Sequence, residues 1–289
     1  MTTMADWLEG ARLRTLPAAV APVLLGTASA YSLGAASIPR ALLAAGVALA
    51  LQVGVNLAND YSDGVRGTDA VRTGPPRLTG GGVVAPRTVK RAAFLSFGVA
   101  AVLGLALVVI SGTWWLLAAG ALAVVAAWYY TGGSRPYGYM GLGELFVFVF
   151  FGLMATLGTA WTQALAVDGA TWLGAAGVGL IACALLMVNN IRDIPTDSQV
   201  GKHTLAVRLG DRDARRAFAA LVFVPLLLGV AAAAWHPWAT LVVLLVPAGL
   251  LLARPVLRGR TGRELIPVLR NTGFYEIAYA AVLGLGLVL

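Results

Sequence analysis

Charge is scarce in this chain of 289 residues. Asp, Glu, Lys and Arg together make up 12% of it, against roughly 25% in soluble domains. A water-soluble surface cannot be tiled from that inventory, and with 59% apolar residues the chain is not disordered. Cysteine is nearly absent. Cys183 alone excludes a disulfide framework and any CxxC metal site, and as a small apolar residue it suits a buried helix face. Two histidines, His203 and His236, leave little material for zinc or haem ligation. Gly80-Gly81-Gly82 and Gly141-x-Gly143 lack the strand–helix setting of a nucleotide-binding loop. The first residues carry mixed charge (Asp6, Glu9, Arg12, Arg14) and no small-residue cleavage site, so no removed leader is expected.

What remains is long apolar runs broken by short polar islands, the pattern of transmembrane helices of roughly 20 residues. Nine spans are predicted, at 16–33, 40–60, 91–111, 114–131, 144–163, 172–191, 214–234, 238–253 and 272–289. Pro22, Pro225 and Pro247 fall inside spans, which membrane helices tolerate when neighbours satisfy the freed backbone groups. With nine crossings, 20 of the 21 Lys and Arg residues fall on the side of the N-terminus, and Arg40 alone is left for the other. The positive-inside bias then makes the polar side cytoplasmic, with the C-terminus outside. The net charge of +8 thus serves orientation in a lipid bilayer, and nucleic acid is not an expected partner. Trp114, Trp115, Trp128, Trp235 and Trp238 lie at span ends, where aromatic rings favour the headgroup layer.

The acidic residues cluster. Asp60, Asp63 and Asp69 follow one another at the cytoplasmic end of the second span, in Asn59-Asp60-Tyr61-Ser62-Asp63-Gly64-Val65-Arg66-Gly67-Thr68-Asp69. Asp193 and Asp197 lie at the cytoplasmic end of the sixth, in Asn189-Asn190-Ile191-Arg192-Asp193-Ile194-Pro195-Thr196-Asp197. Both stretches contain Asn-x3-Asp, as Asn59/Asp63 and Asn189/Asp193. Residues four apart share a helix face, and the four intervening spans keep both copies on one side. Gly64 and Gly67 are expected to end the second helix, returning Asp69 from a loop. Pro195 disfavours helix at Ile194, so Asp197 is expected on a turn.

Carboxylates held together repel unless a cation lies between them. Asp and Asn oxygens suit Mg2+, which binds through one or two carboxylates plus substrate phosphates. The same loops supply Arg66, Arg72, Arg77, Arg135, Arg192 and Lys202, and such groups grip diphosphate oxygens. A magnesium-diphosphate site fits; a solvated rim of ion pairs is the plainer alternative, weakened by the second copy. A cation transporter would place its acids near the bilayer midplane, whereas these lie at one rim among Arg and Lys.

At these residues the sequence resembles the UbiA superfamily of intramembrane prenyltransferases. The resemblance covers nearly the whole chain, 1–289, as a single membrane-embedded domain. It implies an all-α polytopic fold: nine transmembrane helices around a central cavity opening to the cytoplasmic side of the cell membrane. Asn59-Asp60-Tyr61-Ser62-Asp63 looks like the family's first motif and Asp193-Ile194-Pro195-Thr196-Asp197 like its second. The common first motif continues Asp-x3-Asp, whereas here Gly67 holds that position and the next acid is Asp69. That longer spacing looks like the branch that prenylates 1,4-dihydroxy-2-naphthoate on the way to menaquinone. So do the blocks from Arg72 to Thr79, Tyr130 to Tyr139, Gly141 to Glu144 and Gly201 to Gly210.

The resemblance implies transfer of a polyprenyl group from polyprenyl diphosphate, with loss of diphosphate and CO2. Mg2+ would be held by Asn59, Asp63, Asp69, Asn189, Asp193 and Asp197. Asp60 is a further candidate ligand, although it sits about 100° around the helix from Asn59. Arg77, Arg135 and Lys202 would stabilise charge growing on the leaving group, with Arg66 and Arg72 as further diphosphate contacts. Tyr139 would flank the acceptor or the allylic cation, or anchor the interface. Glu144 is a candidate base, or the partner of Arg135 in a salt bridge. His203 has no assigned role. Other acceptors, such as 4-hydroxybenzoate, homogentisate, a haem or a chlorophyllide, stay open on physical grounds.

Overall fold

The computed structural model describes residues 3–68 and 77–289. All their regular structure is helical, with no strand among them. A short helix α1 (Met4–Ala11) opens with a reciprocal cap, in which Thr3 and Asp6 each accept the other's backbone N–H. Then follow α2 (Pro17–Ser32), α3 (Ile38–Arg66), α4 (Pro86–Ser111), α5 (Leu116–Tyr129), α6 (Gly143–Ala164), α7 (Gly169–Gln199), α8 (Leu205–Ala231), α9 (Pro237–Leu257) and α10 (Ile266–Val288).

Each predicted span falls on one of α2 to α10. By length and composition α3, α4, α6, α7, α8 and α9 are long and apolar enough to cross a membrane, and α1 with α2, bent by 49°, supplies a seventh crossing. The chain is a multi-pass membrane protein. Two predicted crossings fall short of that measure. α5 has only 14 residues, below the roughly 20 that a bilayer requires, and α10 carries Arg270, Asn271 and Glu276 in its first half.

α7 is the axis of the molecule. Of its most apolar stretch 72% is buried, against 28–33% for the other crossing helices. Around it pack α2, α8, α9 and α10 through Leu25, Ile181, Phe218, Val242, Tyr279 and Leu283. Lipid offers no hydrophobic drive between helices, so close contact depends on small residues. A Cβ on Gly152 of α6 would stand 2.4 Å from the Cα of Gly179 on α7. α8 keeps Pro225 in its interior, and the buried hydroxyls of Tyr275 and Tyr279 donate to the carbonyls of Val222 and Pro225 at 3.3 and 3.0 Å. A second cluster, Leu57, Leu78, Val89, Phe97 and Ala127, joins α3, α4 and α5 to the segment after residue 76.

Arg40, at the end of α3 opposite its Asn/Asp stretch, caps helix ends there. Its guanidinium donates to the carbonyls of Ile110, Thr162 and Gln163, which otherwise have no partner within their helices.

Candidate diphosphate and metal site

Both Asn/Asp stretches are helical and end their helices. α3 runs on to Arg66 and stops at Gly67, whose φ of 77° is left-handed, the conformation glycine adopts without strain. Gly64 stays inside the helix, against the expectation that it would end it. Its hydrogen faces Thr79, where a Cβ would meet that side chain at 2.6 Å. α7 continues through Pro195 to Gln199, so Asp197 is on the helix and not on a turn. A proline four residues from a helix end removes only one backbone bond, and Asp197 thereby shares a face with Asp193, one turn on.

Asp63 is buried. The Tyr139 hydroxyl donates to its Oδ1 at 2.8 Å, and Arg77 stands 3.8 Å from its Oδ2. Asn59, one turn earlier, accepts a hydrogen bond from Thr131 at 2.8 Å. Asp193 is held side-on by Arg192, with Nε 2.7 Å from Oδ1 and Nη2 2.6 Å from Oδ2. The same Nη2 reaches Asn189 Oδ1 at 2.9 Å. Lys202 Nζ lies 3.7 Å from Asp197, on a turn whose amide also bonds the Asp197 carbonyl.

Tyr139 joins the two halves. Arg66 and Lys202 both lie over its ring, at 5.3 and 5.2 Å from the ring centre, close enough for cation–π attraction. Its carbonyl accepts the His203 amide at 3.0 Å, and its hydroxyl bonds Asp63. Burial, reinforced by the Asp63 charge, pushes the phenol well above its ordinary range, so it stays a hydrogen-bond donor at neutral pH. The path Asp63–Tyr139–Lys202–Asp197 therefore brings the first motif beside the second.

Other candidates have different positions. Asp60 is fully buried, and its two oxygens accept the backbone N–H groups of Leu78 and Thr79 at 2.9 and 2.7 Å. It anchors the segment that carries Arg77. Arg66 donates to the carbonyls of Thr131 and Gly133. Arg135 is exposed and makes no ion pair among the described residues. The alternative pairing of Glu144 with Arg135 is not formed, because Glu144 is buried against α7 and accepts from Asn190 at 3.1 Å. Asp69 and Arg72 lie outside the described residues. Sequence reasoning missed Thr131 and Asn190, and it read Arg192 as a diphosphate contact, whereas the guanidinium clasps Asp193. The Asn189-Asn190 doublet carried a signal, since a second amide beside the first serves the neighbouring helix face.

Among the described residues, no three acidic, thiol or imidazole groups converge closely enough to enclose a metal ion. The donors present are carboxylate and amide oxygens in two pairs, each next to cationic side chains. That suits a hard cation completing its shell with phosphate oxygens and water.

A helical, multi-pass membrane protein whose paired Asp motifs face basic side chains at one rim belongs to the class of membrane enzymes that handle diphosphates. The chain matches the UbiA prenyltransferase family over residues 19–272, and it belongs to that family. It is 50% identical to the 1,4-dihydroxy-2-naphthoate octaprenyltransferase of Mycobacterium tuberculosis over 97% of this chain and 96% of that relative. The protein of the same name from Escherichia coli is 40% identical, over 92% and 89%. The fold is shared with a UbiA homologue of Archaeoglobus fulgidus solved with DMAPP and Mg2+, at a TM-score of 0.67 and 14% identity over 98% and 99% of the two chains. A UbiA homologue of Aeropyrum pernix superposes with a TM-score of 0.70 at 18% identity, over 93% and 96%.

Proposed function

We propose that this protein transfers a polyprenyl group from polyprenyl diphosphate to 1,4-dihydroxy-2-naphthoate, releasing diphosphate and CO2, in menaquinone synthesis. The observation that supports the donor half is the path from Asp63 through Tyr139 and Lys202 to Asp197, which links the two motifs and their cations. The acceptor half rests on relatives of that name at 40–50% identity over nearly their full length.

The residues present fit Mg2+, with Asn59, Asp63, Asn189, Asp193 and Asp197 as the groups that would hold it, and Asp69 as a further one. Asp60 is left out of the set because it is fully buried and its carboxylate faces the backbone of Leu78 and Thr79, away from the cationic side chains. When bound, the ion supplies charge neutralisation to the diphosphate leaving group. Arg77 and Lys202 would take diphosphate oxygens as negative charge grows on them, a preorganised electrostatic contribution, with Arg66, Arg72 and Arg135 as further contacts. Tyr139 fixes the Asp63 carboxylate and orders the turn bearing Lys202. The surrounding apolar helices keep water from the allylic cation. The rim faces the cytoplasm and the C-terminus lies outside the cell membrane, because nearly all Lys and Arg gather on the motif side.

Purified protein with Mg2+, a polyprenyl diphosphate and carboxyl-labelled dihydroxynaphthoate should release labelled CO2 and form a prenylated naphthoquinol. Transfer to 4-hydroxybenzoate alone would refute the acceptor assignment.

A further inference from the structure

Two glutamates lie inside the helical bundle and outside the Asp motifs. Glu276 of α10 is fully buried, and neither of its oxygens has a hydrogen-bond partner. It sits within electrostatic reach of Cys183, two turns further into the membrane than Asn190. Glu144, in the first turn of α6, is 7% exposed and closer to the rim. Asn190 holds its Oε1 at 3.1 Å, and the Cys183 thiol donates to its carbonyl at 3.1 Å. Its Oε2 is buried and has no partner. That oxygen is left open to a donor that arrives with a ligand.

The position suits an aromatic acceptor. Asn190 follows Asn189 and precedes Asp193 by three residues, which sets it about 4.5 Å deeper along α7 than the second motif. Beside it stands an aromatic wall. Tyr130 meets Tyr137 edge-on at 5.5 Å, and Tyr137 stacks on Phe146 at 3.9 Å. Gly143 leaves room next to the Tyr130 ring, where a Cβ would come within 3.3 Å. Glu144, Asp63 and Arg12 all lie within electrostatic reach of the Tyr130 hydroxyl. A flat ring on this wall, one layer below the diphosphate, would meet both the allylic carbon and Glu144.

We infer that Glu144 is a catalytic residue whose free Oε2 accepts the proton of a ring hydroxyl on the aromatic acceptor. This inference rests on the prenyl-transfer function proposed above. The O–H bond breaks and its proton passes to Oε2, while its electron pair becomes a ring carbonyl. Ring electrons at the carboxylate-bearing carbon form the bond to the allylic carbon, and the C–O pair leaves with diphosphate. Loss of CO2 returns its bonding pair to the ring, and Glu144 returns the proton to the oxygen. Neither an oxidant nor a reductant is needed.

Glu144→Gln keeps the size of the side chain and an oxygen for Asn190 but cannot take the proton. It should lower kcat about 100-fold and leave the KM for polyprenyl diphosphate unchanged. A purely structural role would not produce a second effect. The ratio of wild-type to variant kcat should shrink along a series of acceptors whose hydroxyl is made more acidic by electron-withdrawing substituents. The comparison uses whichever aromatic acceptor the wild type turns over, so a wrong acceptor assignment appears in the wild type and a wrong role for Glu144 only in the ratio. A kcat within about threefold of wild type, or a ratio flat across the series, overturns the inference. If Glu144→Gln does not accumulate folded, Glu144→Asp, with its carboxylate drawn back by one methylene, is held to the same two criteria.

Discussion

Asp60 gives the sharpest separation between a metal ligand and an anchor. In the structure its carboxylate accepts two backbone N–H groups, from Leu78 and Thr79, at the start of the segment that follows Arg77. Asp60→Ala strands both amides in a buried place. Hydrogen bonds to a charged group contribute about 1.5–3 kcal/mol each, so the variant should lose roughly 3–6 kcal/mol of local stability. Asp60→Asn can accept only one N–H and turns its own NH2 toward the other, so it should lose about half as much. The apparent unfolding midpoint in detergent should fall by roughly 5–15 °C for the alanine variant. Because Arg77 precedes the anchored amides, the KM for polyprenyl diphosphate should rise while the Mg2+ concentration giving half-maximal activity stays at the wild-type value. A normal midpoint with a raised Mg2+ requirement would refute the anchoring role and return Asp60 to the ligand set.

Three further perturbations follow from the same geometry. Tyr139→Phe removes the hydrogen bond to Asp63 but keeps the ring under Arg66 and Lys202, so kcat/KM should fall by about tenfold, as for one hydrogen bond to a charged group; Tyr139→Ala should cost markedly more, and equal losses would contradict the cation–π part. Arg40→Ala should lower the unfolding midpoint without changing the KM for either substrate, because it frees the carbonyls of Ile110, Thr162 and Gln163 at the ends of the helices opposite the motifs; a changed KM would show that this opposite rim communicates with the site. Asp168 caps α7 by accepting from the Thr171 amide and bonds His236 at 3.2 Å. Burial pushes its carboxyl up, but the Thr171 and His236 contacts together hold it below the ordinary range. Its contribution is thus present above the unfolded pKa near 3.9 and lost as pH falls through the lower folded value. Asp168→Ala should cost about 1 kcal/mol at neutral pH and flatten the acid limb of a midpoint-against-pH curve; an unchanged limb would contradict it.

The positions of the helices were legible because apolar runs and polar breaks report burial in lipid directly. Their lengths were not. α3 and α7 extend past the apolar runs to Arg66 and Gln199, since a helix beyond the bilayer needs only its own hydrogen bonds and a cap such as Gly67. The rule applied at Pro195 was sound for one residue's preference, but the surrounding helix outweighed it. In the site, residue type and spacing picked out Asp63, Asp193, Asp197 and Lys202; the fold links Asp63 to Lys202 through Tyr139 and pairs Lys202 with Asp197. The 100° offset of Asp60 from Asn59 warned that it faced elsewhere, yet only the fold could supply Leu78 and Thr79 as its partners. Tyr139 was ambiguous for the same reason. A tyrosine near a span end looks alike whether it anchors in headgroups or bridges two motifs 130 residues apart.

The central claim is that the two Asp motifs act as one site on one diphosphate. A double-mutant cycle on Asp63→Asn and Asp193→Asn, read as Mg2+-dependent release of diphosphate from polyprenyl diphosphate in the presence of acceptor, tests it most directly. Groups acting as a unit are strongly non-additive. Each single variant should therefore lose at least about 100-fold, and the double variant should be little worse than either. Full activity in either single variant, or losses that multiply in the double, would contradict the claim.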